Sequence, residues 1–171
     1  MKLTPFYYFL LPLPKTPYVY HIRKTSHLFQ IEPTYSLFDY NKSYDVFHYN
    51  TKYRRNFKNT YFKHDFIDNH HIIPREFQNN PLLQELPFDV ACSKNICFLP
   101  TRSAKHILQD HSLIYHDSHP KYNRFVEKEL QRIASYDHKD KRQYEFVLFF
   151  MYLSQSLEEN DPSIRSLFRS S

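Results

Sequence analysis

The sequence has no glycine, no tryptophan and only two cysteines in 171 residues. Without glycine no residue takes a positive φ freely, so tight turns fall to Pro, Asn, Asp and Ser. The cysteines, Cys92 and Cys97, are too few for a disulfide-stapled scaffold or an all-cysteine zinc site. They read as buried free thiols, with a C-x4-C contribution to a metal site as the other reading. No segment approaches the roughly 18–20 apolar residues of a membrane span. The start, Met1-Lys2 and then Leu3 to Leu13, has the outline of a secretory leader. Pro5, Pro12 and Pro14 interrupt it and no small-x-small step follows, so no signal peptide is expected. These absences predict a soluble, cytoplasmic chain with no membrane partner.

Aromatic and basic residues are abundant instead. There are 15 Tyr and 16 Phe, and the formal net charge is +5. A basic balance favours polyanionic partners, because Lys and Arg release counterions condensed on nucleic acid. The length fits one domain of about 100–150 residues with extensions. We expect an aromatic and basic N-terminal extension over 1–60, the functional domain over 61–160 and a polar tail over 161–171, fraying from about Asn160. Within 36–66, Phe38, Tyr40, Tyr44, Phe47, Tyr49, Tyr53, Phe57, Tyr61 and Phe62 alternate with polar residues. Lys42, Lys52, Arg54, Arg55, Lys58 and Lys63 are threaded among them. Such a mixture can stack bases and grip phosphates. The plainer expectation is a β-rich or irregular segment whose aromatics are core.

Further along, Phe66-Ile67 and Ile72-Ile73 bracket Asp68-Asn69-His70-His71, and Pro74 closes the run, which predicts a strand ending there. Residues 75–86 read as short helical turns around Pro81. Ile96 to Leu99 predicts a second strand, stopped by Pro100, with Asn95 in the turn before it. Pro120 opens the clearest helix, with Tyr122, Phe125, Val126, Leu130 and Ile133 on one face. Lys121, Arg124, Lys128 and Arg132 form a basic strip on its flank. A second helix is predicted from about Lys141 to Glu158, buried all round at its centre.

Six of the eleven histidines lie between positions 70 and 119: His70, His71, His106, His111, His116 and His119. Neutral imidazole ligates divalent metals and is a general base near neutral pH. Adjacent histidines on a strand point to opposite faces, so one can hold an ion while the other addresses a water. A bend or bulge beside Pro74 would let both face one site. A His-His strand, an Asn before a second strand, and a helix opening with His together outline an α+β, ββα-metal centre with C-terminal helices.

The stretch Asn69-His70-His71-Ile72-Ile73-Pro74 resembles the AHH/LHH branch of the HNH/endonuclease VII nuclease superfamily. The resemblance continues through Asn80-Pro81-Leu82-Leu83 and Asn95-Ile96-Cys97-Phe98-Leu99-Pro100. It closes with Tyr115-His116-Asp117-Ser118-His119-Pro120-Lys121-Tyr122-Asn123, spanning about residues 66–135. Asn69 stands where the family has alanine. Ile96 and Asp117 replace glycines, and Tyr115 replaces the histidine four residues before the last one.

The resemblance implies an HNH-type, treble-clef-like endonuclease fold over 61–160. It implies His70 as a metal ligand, His71 as general base, Asn95 as a brace for the loop that orients His71, and His119 as a second ligand. The third ligand is His116, with His111 in reserve. His106 and His138 are left as surface residues. The implied cofactor is one divalent ion, Zn, Mg, Mn or Ni, and the implied reaction is hydrolysis of DNA or RNA phosphodiesters. A positioned base contributes about 10²–10⁴ in rate, and the ion neutralises charge growing on the phosphate. The strip Lys121, Arg124, Lys128 and Arg132 would hold flanking backbone without reading sequence. Members of the family are often bacterial toxins, which implies delivery into a target cell and an immunity protein as partner. The competing expectation is a non-catalytic nucleic-acid-binding module with a structural zinc.

Overall fold

The computed structural model describes residues 35–38, 45, 47–49, 51–61 and 66–168. Of the expected N-terminal extension, residues 1–34 lie outside them, as do Tyr40, Lys42, Tyr44, Phe62 and Lys63. In chain order the elements are α1 (Tyr35–Phe38), α2 (Lys52–Tyr61), β1 (Ile67–His71), a 3-10 turn (Arg75–Asn79) and α3 (Pro81–Glu85). A second 3-10 turn (Ser93–Asn95), β2 (Ile96–Pro100) and α4 (Arg102–Leu108) follow, then α5 (Pro120–Ala134), α6 (Lys139–Glu159) and α7 (Pro162–Leu167). The described fold is mixed α+β, with one small sheet among helices.

β1 and β2 pair antiparallel in the register Ile67↔Pro100, Asn69↔Phe98, His70↔Cys97 and His71↔Ile96. Two strands alone are marginal in water, so the sheet depends on the helices packed around it. β1 stops earlier than its isoleucines suggest. Ile72 donates its N–H to the Asn95 carbonyl at 2.8 Å, and Ile73 donates to Asn95 Oδ1 at 2.7 Å. An amide side chain thus takes over from the ladder, and Ile72 and Ile73 drop into the core.

The helices begin where capping chemistry permits. Asn80 Oδ1 accepts from the Leu82 N–H, and Thr101 Oγ1 from the Ala104 N–H. Pro81, Pro120 and Pro162 occupy first-turn positions, where the missing N–H is no loss. Without glycine, the left-handed residues that end α4 and α6 are Gln109 (φ 52°) and Asn160 (φ 55°). Asn tolerates this region through its short polar side chain. Gln has no such advantage.

On α5 Tyr122, Val126, Leu130 and Ile133 are all fully buried. They meet Phe146, Leu153 and Leu157 of α6 and the Ile73, Leu83, Leu86 side in one core. Phe38 joins it by packing on Phe146, ring centroids 6.0 Å apart.

Four expectations are corrected. Residues 52–61 are helical rather than β-rich or irregular: Tyr53 and Phe57 are one helical turn apart, and Phe57 stacks on Phe98 of β2 at 6.3 Å. α4 occupies a stretch for which no helix was expected, started by Thr101. α6 is not buried all round, since Tyr144, Leu148, Met151 and Tyr152 are exposed along one face. Residues 161–168 do not fray. They form α7 and bury Ile164 and Phe168.

Candidate metal centre

His70 lies on the inner face of β1, 1% exposed. The segment after α4 brings two more imidazoles to it. The His116 N–H donates to the Pro100 carbonyl at 2.7 Å, and residues 101 and 116 form a parallel bridge, which seats this segment on the end of β2. His119 is the residue before Pro120 and begins α5. His70, His116 and His119 each offer a ring nitrogen, and these nitrogens lie within 4.8 Å of one another. Ring centroids are 5.0 Å apart for His70–His119, 5.5 Å for His70–His116 and 5.7 Å for His116–His119.

Two of the rings are held from behind. His119 Nδ1 lies 2.8 Å from the Asn123 side-chain oxygen, one helical turn on. His116 Nδ1 lies 3.5 Å from Asp68 Oδ2. An oxygen acceptor keeps the proton on Nδ1 and turns the other nitrogen's lone pair towards the cluster, the usual arrangement behind a metal-binding histidine. Asp68 also receives a hydrogen bond from Lys58 Nζ at 2.9 Å and one from the Asn69 N–H at 2.8 Å. The His116 ring first, then Lys58 and the Asn69 amide, hold its carboxyl well below the usual carboxylate range, against burial acting the other way.

Neither ring nitrogen of His70 has a hydrogen-bond partner among the described residues, although both are buried. An unsatisfied buried polar group costs about 1–3 kcal/mol. Burial, with His119, His116 and His71 nearby, pushes the His70 pKa well below the usual histidine value, so the ring is neutral. Burial also lowers that of His119. Three imidazoles whose ring nitrogens converge fit a divalent transition ion, for which imidazole is a favoured ligand.

His71 points to the other face of β1. Its ring packs on Tyr49, centroids 4.6 Å apart, and Arg75 sits over the same tyrosine at 5.6 Å. Its Nε2 has no hydrogen-bond partner among the described residues. Burial, then Arg54 and Arg75, lower its pKa to about 4. Arg54 is itself buried, donating to Asn69 Oδ1 (3.0 Å) and the Phe47 carbonyl (3.0 Å).

Asn95 is 0% exposed. Besides accepting from the Ile73 N–H, its Nδ2 donates to the Ile73 carbonyl (2.9 Å) and the Val90 carbonyl (2.7 Å). It fixes the backbone two residues after His71. Asn95→Ala leaves three buried backbone groups unpaired, at about 1–3 kcal/mol each. Urea unfolding should therefore show a loss of at least about 3 kcal/mol. A loss below about 1 kcal/mol would reduce Asn95 to an ordinary turn residue.

The remaining expected residues divide. His111 is exposed and outside the cluster, as are His106 and His138. Tyr115 turns away, its hydroxyl donating to the Asp110 carbonyl at 2.9 Å. Neither cysteine joins the cluster: burial pushes both thiols up to about 12, and Cys97 Sγ donates to the His70 carbonyl at 3.7 Å. Lys121, Arg124 and Lys128 are exposed on α5. Arg132 is instead engaged with Glu129 (2.8 Å) and Glu145 (3.4 Å).

Asp68, Asn123, Tyr122 and Phe168 were given no site role from sequence. Two carried a signal: Asp68 is two residues before His70 on a strand, and Asn123 one helical turn after His119. Tyr122 read only as core, yet its hydroxyl donates to the Ile72 carbonyl at 2.6 Å and its ring lies 5.4 Å from His70.

A family model matches residues 52–147, more than half the chain, and is described as a nuclease family of the HNH/ENDO VII superfamily with conserved AHH. No curated protein and no solved structure matches the chain.

Proposed function

Since the chain belongs to the AHH nuclease family of the HNH/ENDO VII superfamily, we propose that it hydrolyses phosphodiesters of DNA, ahead of RNA, with one transition-metal ion. The observation that carries the reading is the convergence of His70, His116 and His119 around buried, unsatisfied ring nitrogens. These three residues would hold the ion, on a ββα frame formed by β1, β2 and α5. When bound, the ion supplies positive charge to the phosphate oxygens and the leaving oxygen.

The chain's own residues do the rest. His71, neutral at pH 7, accepts the proton of the attacking water. An approaching phosphate raises its pKa, because negative charge favours imidazolium, and so brings the base closer to working pH. Asn95 keeps the end of β1 in place, and Asp68 and Asn123 keep His116 and His119 in the ligating tautomer. Lys121, Arg124 and Lys128 hold strand backbone beside the centre, as point charges that position without reading sequence. Arg132, with its carboxylate partners, contributes less.

An all-imidazole set favours Zn or Ni, with Mn between them and Mg, the ion most committed to oxygen ligands. The test is plasmid cleavage by chelator-stripped protein with each ion restored singly. The expected result is nicking with at least one of Mn²⁺, Ni²⁺ and Zn²⁺, weaker activity with Mg²⁺, and none in EDTA. Stabilisation by Zn²⁺ without cleavage under any ion would replace this reading with a nucleic-acid-binding module built on a structural zinc.

A further inference from the structure

The family match ends at residue 147, yet the chain beyond it returns to the metal centre at three points. Asn160 ends α6 in the left-handed region, and its Oδ1 accepts from the buried Ile114 N–H at 2.7 Å, two residues before His116. Arg165 of α7 donates through Nη1 to the Ser112 carbonyl at 2.6 Å. Phe168, 7% exposed, sets its ring 5.2 Å from His70, 5.1 Å from His119 and 4.9 Å from Tyr122. Ile164 anchors the segment in the core.

We infer that residues 160–168 form a clasp that is part of the metal centre: Asn160 and Arg165 hold the ligand-bearing segment against β2, and Phe168 walls off the buried side of His70 and His119. The inference rests on the reading of the three histidines as metal ligands. Physically, residues 109–119 are mostly without regular structure and carry two of those ligands. The position of His116 is set by few bonds: its own N–H to Pro100, its ring to Asp68, and the Ile114 amide held by Asn160. An apolar wall beside the ligands also limits water access and lowers the local dielectric, which strengthens ligation. Phe168 and Asn160 therefore act through the ligands and are positioning residues.

The test is Co²⁺ binding by the full chain, read by its visible absorption and by calorimetry, with far-UV circular dichroism of each variant. Asn160→Gly keeps the left-handed turn and deletes the bond to Ile114, whereas Asn160→Asp keeps an acceptor there. Asn160→Gly and Phe168→Ala are expected to weaken Co²⁺ about tenfold or more, while Asn160→Asp and Phe168→Leu stay near wild type. Because the chain has no tryptophan, Phe168→Trp adds a single indole beside the ligands, excited selectively to the red of the tyrosines, and Co²⁺ should quench it at saturation. Affinity within about twofold of wild type in both disruptive variants, or unquenched Trp emission with Co²⁺ bound, overturns the clasp. Equal weakening by the disruptive and the conservative variants overturns it as well. Wild-type protein that binds no Co²⁺ overturns the ligand reading, and the clasp with it.

Discussion

Replacing His71 with alanine is expected to slow DNA cleavage by about 10²–10⁴-fold while Co²⁺ affinity and circular dichroism stay at wild-type values. The separation follows from strand alternation. His70 faces the cluster, whereas His71 sits on the opposite face of β1 against Tyr49 and supplies no atom to the group of ligand nitrogens. Its Nε2 has no described hydrogen-bond partner, and the lowered pKa keeps the ring neutral throughout the neutral range. A structural-zinc module would have no cleavage to lose. Parallel loss of Co²⁺ binding would move His71 into the ligand set and remove it as the base. If the family's toxin role applies, wild-type chain expressed in bacterial cytoplasm should arrest growth and the His71→Ala chain should not.

His70→Leu should abolish cleavage and metal-dependent stabilisation together, and yet leave the metal-free protein at least as stable as wild type. The side chains are similar in volume, and an apolar replacement removes two unsatisfied buried nitrogens, a change that is commonly neutral or stabilising. With the metal at 100-fold its Kd, wild type gains about 2.7 kcal/mol; the variant should gain none. Acid should separate them too. The buried His70 resists protonation, whereas the unfolded chain takes up a proton below about pH 6.5. Wild-type stability without metal therefore falls as pH drops below that value, by up to about 1.4 kcal/mol per unit from this residue. His70→Leu should show a shallower fall. A metal-free variant less stable than wild type at pH 7, by urea unfolding, would refute this account of His70.

The parts of the site legible in sequence are those encoded locally. His70-His71 before Pro74, Asn95 before an apolar run, and His119-Pro120 opening an amphipathic helix each show their place in the fold within a few residues. What was not legible depends on distance along the chain. Asp68 reaches His116 only because β2 delivers that segment to the end of β1. Spacing preferred His116 to His111 but could not show what seats it, which is the hydrogen bond from the His116 amide to Pro100. Tyr53 and Phe57 misled for a different reason: aromatic-polar alternation over a few residues fits a strand as well as a helix, and the deciding contacts, Phe57 on Phe98 and Arg54 on Asn69, come from β1 and β2. The tail expected to fray is mostly polar, and its apolar residues Ile164, Leu167 and Phe168 are buried or half-buried only against distant elements, α6 and the histidine cluster.

The two cysteines carry a consequence for redox behaviour. With burial holding both thiols near 12, roughly one in 10⁵ is thiolate at pH 7. Alkylating reagents act on the thiolate, so maleimide should label folded protein far more slowly than urea-unfolded protein. Neither thiol is then expected to serve as a redox switch on this chain.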